Sequence, residues 1–379
     1  MRIAYVTETW RPSVDGVVTR LEATLAQLGH LGHQALVVAP RGGEAGLGGV
    51  PVVGVPSVGF SFLAGGKPWG LPSPRVGRAL RKFRPDVVHV LHPFILGLAG
   101  VAAARRLRLP LVASFHQDIA LVASRYHLGW LGPAIWAYTR YLHALADVTL
   151  ATSHAAAATV AAHRIGPPLL WPYGVDLDLF NPARRNERAR ARLTGGRHAH
   201  VVALYVGRLA PEKDLERLAP LATGCGLHLA VVGDGPLRPA LERRLGGPSV
   251  TFLGRLTGTA LAEAYASADV FVFPSTIETL GLVLLEALAS GLPVVAFATG
   301  TSEEILAGET GSRLCPPGAL ELFPAMAREL GTPGPAWLRR SRQARRAAQR
   351  WSWRTATEKL LAVYEAVINA DRHGGDPGR

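Results

Sequence analysis

The stretch "PSTIETLGLVLLEALASGLPVVA", Pro274 to Ala296, carries two carboxylates, Glu278 and Glu286, with seven residues between them and mostly Leu, Val and Ala around them. A buried carboxylate is costly unless something pairs with it. Either both face solvent on an amphipathic helix, or they hold a polar ligand. If both are helical, their spacing is about 12 Å of rise, wider than the roughly 5–9.5 Å that separates glycosidase carboxylates. A hydrolytic pair is excluded on that basis. The spacing fits a sugar, a diphosphate and a ribose in line. Glu278 would take sugar hydroxyls, the N–H groups of a helix start at Leu280, Gly281 and Leu282 a phosphate, and Glu286 the ribose diol.

Three other places combine suitable residue types with a position just past a strand pattern. In "VGRLAPEKD", Arg208 and Lys213 flank a turn; they form either surface salt bridges or a cation pair suited to a diphosphate. In "SFHQD", His116 and Asp118 follow a strand, a position that suits a catalytic as well as a structural histidine. In "TETWRPSVDGVVTR", Asp15 precedes Gly16, which opens the first helix. That is an ordinary tight turn, or a place where backbone N–H groups meet an anion. The two glycines of "VVGDGP" alone point to nothing definite. There is no P-loop, no G-x-G-x-x-G after the first strand, no zinc-like Cys/His spacing and no nucleophile elbow.

The elements that would hold these residues alternate along the chain. "RIAYVTE", "ALVVAP", "DVVHVLHP", "PLVASFH" and "DVTLATS" read as buried parallel strands, with helices such as "VVTRLEATLAQLG" and "GLAGVAAARRL" between them. After about Gly196 the series restarts with "HVVALYVGR", "LHLAVVGDG", "SVTFLG", "DVFVFPS" and "LPVVAFA". Two such series predict two Rossmann-like α/β domains, with ligands at the carboxyl ends of the strands. The first is expected over 1–180 and the second over 181–354. A C-terminal helix at about 355–370 would cross back to the first domain, leaving a frayed tail at 371–379.

The chain has 379 residues, 48% apolar and 18% charged, with a formal net charge of +13. The positive charge is nearly all Arg; Lys67, Lys82, Lys213 and Lys359 are the exceptions. GC-rich coding accounts for much of this, and an anionic partner for the remainder. Two cysteines, Cys225 and Cys315, make no disulfide framework. "MRIAYVTETW" is a strand pattern that meets Glu8 early, which is not a signal peptide. Glu286 and "SGLP" argue against a membrane span in the opening stretch. The Gly/Pro-rich segment Arg41 to Pro74 is either a functional loop or short irregular strands. Behind it, "RVGRALRKFRP" turns Arg75, Arg78, Arg81 and Lys82 to one side and Val76, Leu80 and Phe83 to the other. That helix face is simply solvated, or it meets a membrane surface or an acidic acceptor.

On these residues the sequence resembles the retaining glycosyltransferases of the family 4 (group 1) class. The resemblance is most specific in "PSTIETLGLVLLEALASGLPVV", which fits that family's E-x7-E signature. "VGRLAPEKD", "VVGDGP", "FLG", "YASADVFVFPS" and "ETG" follow in the family's order. "VTETWRPSVDGVVTRLEATLAQLGHLGHQALVVAP", "SFHQD" and "YGVDLDLFNP" are most similar to bacterial mannosyl- and glucosyltransferases, many of which act on lipids. The resemblance implies a GT-B fold, two Rossmann-like domains facing each other across a cleft. It places Gly16 beside the donor diphosphate, Arg208 and Lys213 on its phosphates, His116 on the transferred sugar, Glu278 on sugar hydroxyls and Glu286 on the ribose. Asp15 and Asp118 fall on the acceptor side. No metal and no cofactor are implied; the donor, GDP-mannose or UDP-glucose, is a substrate. "DLD", Asp176 to Asp178, resembles the metal motif of the other glycosyltransferase fold and is read here as a decoy. Leu280 stands where the family usually has Phe, Gln117 where this branch has Thr, and Tyr173 where many relatives carry Arg. "TGTSEEI" replaces the common Gly-Gly-x-Pro-Glu.

The expected reaction is therefore hexosyl transfer with retention to a membrane glycolipid or other lipid or glycan acceptor. It would take place in the cytoplasm or at the inner face of the plasma membrane. Two alternatives stand beside it: another enzyme on the same two-domain scaffold, an epimerase acting on free nucleotide sugar or a phosphorylase, the latter opposed by the scarcity of lysines for pyridoxal phosphate; and a non-catalytic nucleotide-sugar or nucleic-acid binder. The second lacks any nucleic-acid motif or interleaved aromatic stripe.

Overall fold

Residues 1–13, 15–41, 49–59, 68–223, 226–278 and 280–374 are described by the computed structural model. The chain divides into two compact units, Met1–Tyr173 with Trp353–Arg379, and Gly174–Ser352. The sequence placed these boundaries at 180/181 and 354/355. Residues just after Tyr173 go with the second unit because Phe180 packs edge-on against Tyr265. Arg345 also donates to the carbonyls of Leu177 and Phe180, at 3.0 and 2.8 Å.

In the first unit the strands are β1 (Arg2–Thr7), β2 (Gln34–Pro40), β3 (Val52–Val55), β4 (Ser57–Gly59), β5 (Pro68–Gly70), β6 (Val87–Leu91), β7 (Leu111–Phe115), β8 (Val148–Ala151) and β9 (Leu169–Leu170). Seven form a parallel sheet in the order β3-β2-β1-β6-β7-β8-β9, while β4 and β5 pair antiparallel. Alternate residues feed two cores, as a sheet covered on both faces requires. Ile3 and Tyr5 pack with the helix Gly16–His30 and the C-terminal helix, and Ala4 and Val6 with Val76, Leu80 and Val101. The Gly/Pro-rich segment thus contains short strands; its residues 42–48 and 60–67 lie outside the described residues.

The second unit repeats the plan with β10 (Val201–Val206), β11 (Leu227–Val232), β12 (Val250–Gly254), β13 (Val270–Phe273), β14 (Val294–Phe297) and β15 (Arg313–Cys315), ordered β12-β11-β10-β13-β14-β15. In both sheets the strand order reverses beside the first strand, between β1 and β6 and between β10 and β13. Such a switch point opens a crevice at the strands' carboxyl ends.

The basic helix forms over Pro74–Phe83, started by Ser73 and a first-turn proline. It buries Val76 and Leu80 and exposes Arg78, Arg81 and Lys82, and Arg75 donates to the Gly54 carbonyl at 3.3 Å. The tail is two helices, Pro335–Ala348 in the second unit and Trp353–Gly374 in the first. The latter runs through 371–374, where fraying was expected; residues 375–379 lie outside the described residues. Among the described residues, no helix is long and apolar enough to cross a membrane.

Candidate active site

The second switch point gathers three of the expected residues. Arg208 and Lys213 follow β10, and Glu278 follows β13. Lys213 Nζ donates to Glu278 Oε2 at 2.9 Å, with the side chains 23% and 14% exposed. Burial pulls the Lys213 ammonium down, but Glu278 outweighs it and holds the ammonium above its ordinary value. Burial pushes Glu278 up, yet Lys213 and the N–H groups of Leu280 and Gly281 keep it below the usual carboxylate range. Both groups are therefore charged at neutral pH. Arg208 Nη1 lies 3.7 Å from Glu212 Oε1, and the Arg208 carbonyl accepts from the Tyr205 hydroxyl at 3.2 Å.

Neighbouring loops fix this turn. Asp214, left-handed at φ 50°, accepts from the Thr276 N–H at 2.9 Å and from the Thr276 hydroxyl, tying the Lys213 turn to the loop after β13. Thr301 Oγ1 donates to the Glu278 carbonyl at 2.6 Å. Within "TGTSEEI", Thr301 thus supports the Glu278 loop. The glycines of "VVGDGP" have a packing role. A Cβ on Gly233 would stand 1.8 Å from the Gly207 carbonyl oxygen, and one on Gly235 2.4 Å from that of Leu209. Only glycine lets this loop lie against the Arg208 turn. Asp214 and Thr301 were missed by the sequence reading, which attended to the cations and carboxylates that could meet a ligand.

The helix after Glu278 starts later than expected, at Leu282, and runs to Ala289. Gly281 precedes it at φ 61° with no side-chain cap, and the Leu280 N–H is taken by Glu278 Oε1 at 3.2 Å. Leu280 and Gly281 are thus turn residues, and only Leu282 belongs to the helix start. Glu278 is not helical, so the helical-rise estimate of the distance between the two glutamates does not apply. Glu286 is half-buried and accepts from the Tyr265 hydroxyl at 2.8 Å. Burial raises its carboxyl to about 7, against the pull of that hydrogen bond. Tyr265, from "YASADVF", answers the pairing question that the sequence posed.

The first switch point is built differently. Glu8, just past β1, is buried, and its carboxylate accepts from the N–H groups of Phe94, Leu96 and Gly97 at 2.9, 3.0 and 2.7 Å. It therefore covers the start of the helix Leu96–Arg106. Burial raises it to about 7, opposed by those N–H groups. Asp15 Oδ1 accepts from Val17 and Val18 N–H at 3.1 and 3.0 Å, capping the helix that opens at Gly16. Two of the amides that seemed open to an anion are thus taken. Asp118 likewise caps Ile119–Arg125 through the Leu121 N–H at 2.8 Å. For both aspartates the structure assigns a helix-capping role. His116 is buried at the end of β7, with Nε2 2.8 Å from Ser114 Oγ. Burial, with the Arg20 guanidinium nearby, holds it well below the ordinary histidine range.

In "DLD", Asp176 Oδ1 accepts from the N–H groups of Asp178 and Leu179 at 3.1 and 2.8 Å, a local turn. Among the described residues no group of three or more His, Cys, Asp or Glu is placed to hold a metal ion. Two surface hollows of about 410 and 500 Å³, lined by parts of 187–199 and 321–332, contain none of the candidate residues.

Comparison with known proteins accounts for this arrangement. Residues 14–179 match the family model Glycosyltransferase Family 4, and residues 200–331 match Glycosyl transferases group 1. A GDP-mannose-dependent alpha-mannosyltransferase of Mycolicibacterium smegmatis is 41% identical over 97% of this chain and 98% of its own; one of Mycobacterium tuberculosis is 40% identical over 97% of each. An alpha-monoglucosyldiacylglycerol synthase of Acholeplasma laidlawii is 27% identical over 78% of this chain and 80% of its own. Among solved structures, a sucrose-phosphate synthase of Thermosynechococcus elongatus superposes with a TM-score of 0.81 at 20% identity, covering 97% of this chain and 99% of that one. With its two Rossmann-like halves, relatives of that identity over nearly its full length and both family models matched, this chain belongs to the group 1 glycosyltransferases of GT-B fold and is a glycosyltransferase.

Proposed function

We propose that the chain transfers a mannosyl group from GDP-mannose to a lipid-linked acceptor, with retention at the anomeric carbon and without a metal ion. The observation that carries this reading is the Lys213–Glu278 pair bridging the second switch point beside Arg208. Two cations at the mouth of a doubly wound sheet suit the diphosphate of a nucleotide sugar. Arg208, Lys213 and the start of the helix Leu282–Ala289 stabilise the charge that grows on the leaving diphosphate, which is the main electrostatic task of such a transfer. Glu278 accepts from sugar hydroxyls, Glu286 from the ribose diol, Gly16 lies at the diphosphate, and His116 contacts the transferred sugar.

The choice of mannose rests on the mycobacterial relatives named GDP-mannose-dependent alpha-mannosyltransferases. The lipid acceptor rests on the diacylglycerol glycosylation named for the Acholeplasma relative and on the exposed arginines of Pro74–Phe83, which suit an anionic membrane surface at the inner face of the plasma membrane. That same relative supports glucose as the second sugar to test. The test is transfer from GDP-mannose and UDP-glucose into a bacterial lipid extract, with and without EDTA, and product anomers read by NMR. An α-mannolipid formed equally in EDTA is expected. Strict metal dependence, an inverted product, or epimerisation of free nucleotide sugar without acceptor would overturn the reading.

A further inference from the structure

Five buried polar side chains of the first unit form one hydrogen-bonded series that ends at His116. The Tyr364 hydroxyl, on the C-terminal helix, donates to Tyr5 Oη at 3.1 Å and lies 2.6 Å from His89 Nδ1. His89 Nε2 is 2.9 Å from Ser114 Oγ, which is 2.8 Å from His116 Nε2. Tyr5, His89, Ser114 and Tyr364 are wholly buried, and His116 nearly so. Tyr5, His89 and Ser114 come from β1, β6 and β7, beside the apolar Ile3, Val87, Leu91 and Val112 of the same core. Buried polar groups persist in such a core only when each is satisfied.

The proton order along the series can be followed. Burial lowers His89 to about 3 and His116 well below its ordinary range, so both rings are neutral, each with one N–H and one lone pair. Tyr364 gives its proton to Tyr5, so its oxygen accepts from His89 Nδ1–H. His89 Nε2 then accepts from the Ser114 hydroxyl, and Ser114 Oγ accepts from His116 Nε2–H. Nδ1 is then the nitrogen of His116 that carries the lone pair.

We propose that Tyr364 is a positioning residue for His116. Acting through His89 and Ser114, it holds His116 in the Nε2–H tautomer, so that the C-terminal helix sets how His116 meets the transferred sugar. The proposal rests on the reading of His116 as a sugar contact.

Tyr364→Phe keeps the ring and removes the link; Ser114→Ala breaks the series at a second point. In the full-length protein, ¹⁵N-histidine NMR should show a single Nε2–H tautomer for His116 and a tautomer mixture in either variant. Turnover should fall about ten-fold with little change in donor KM. In a His116→Ala background, Tyr364→Phe should cost nothing further. An unchanged tautomer in both variants overturns the proposal. So does a Tyr364→Phe loss that is equal with and without His116, because that would be a purely structural effect. Full turnover in His116→Ala would instead refute the sugar-contact reading, while the tautomer measurement still decides the hydrogen-bond series.

Discussion

The two units repeat one strand order, and at the crevice beside the first strand they use charge in opposite ways. After β1 stands Glu8, whose carboxylate is spent on three backbone N–H groups from the far side of the switch point. After β10 stand Arg208 and Lys213, and the far side supplies Glu278. In the first unit the protein's own carboxyl group occupies the N–H groups of the helix start beyond the switch point. In the second, cations are presented there instead. Fold alone would make both crevices equal candidates; the side chains separate them.

The largest test of that contrast is at the cations. Lys213→Met and Glu278→Gln should each lower turnover of nucleotide sugar by about 10²–10³-fold, the scale of a lost electrostatic donor. Activity within a few-fold of wild type in both would remove the second switch point from the chemistry. Glu8→Ala leaves three N–H groups without their acceptor and should cost about 1–3 kcal/mol of stability in denaturant, with donor affinity unchanged. Lost donor affinity at an unchanged midpoint would give the Glu8 carboxyl itself a ligand-binding role, and the contrast would collapse. Asp15→Ala should cost about 1 kcal/mol as a lost helix cap; a loss of acceptor turnover without a stability change would place Asp15 on the acceptor side.

The smallest effect sharpens the comparison through pH. Glu8 and Glu286 are both raised by burial from 4.5 to about 7. The folded chain keeps protons there that the unfolded chain has lost, so stability falls as pH rises from about 4.5 to about 7. Stability profiles of Glu8→Gln and Glu286→Gln should each be flatter across that window. Only Glu286 should also affect the donor, whose ribose hydroxyls need an ionised acceptor. Donor affinity should weaken a few-fold as pH drops below about 7, and Glu286→Gln should abolish that dependence. The same loss in Glu8→Gln would mean that the two carboxylates do not differ as described.

The strand series of both sheets was legible because buried parallel strands are continuous apolar runs, and "RIAYVTE" or "DVFVFPS" resemble nothing else. The short strands at 52–59 and 68–70 were harder to read, because glycine and proline dominate there and pairing partners rather than propensity make them strands. Lys213 drew notice as one of four lysines. Its bond to Glu278 did not, since the partners lie 65 positions apart. At Asp15 and Asp118 the structure adds a cap that the residue type alone left open, because an aspartate before a helix is a cap signal as much as a functional one.

The sequence by itself determined the α/β class, the repeat of two Rossmann-like series and the residue types available at the strand ends, because apolar period and turn chemistry are local properties. Which charges neutralise each other was decided only by the tertiary structure. Glu8 and Glu278 both follow apolar strands, and no local property says what either carboxylate will pair with. The first meets backbone N–H groups 86 to 89 positions away and the second a lysine 65 positions away, pairings that exist only once the sheets are assembled.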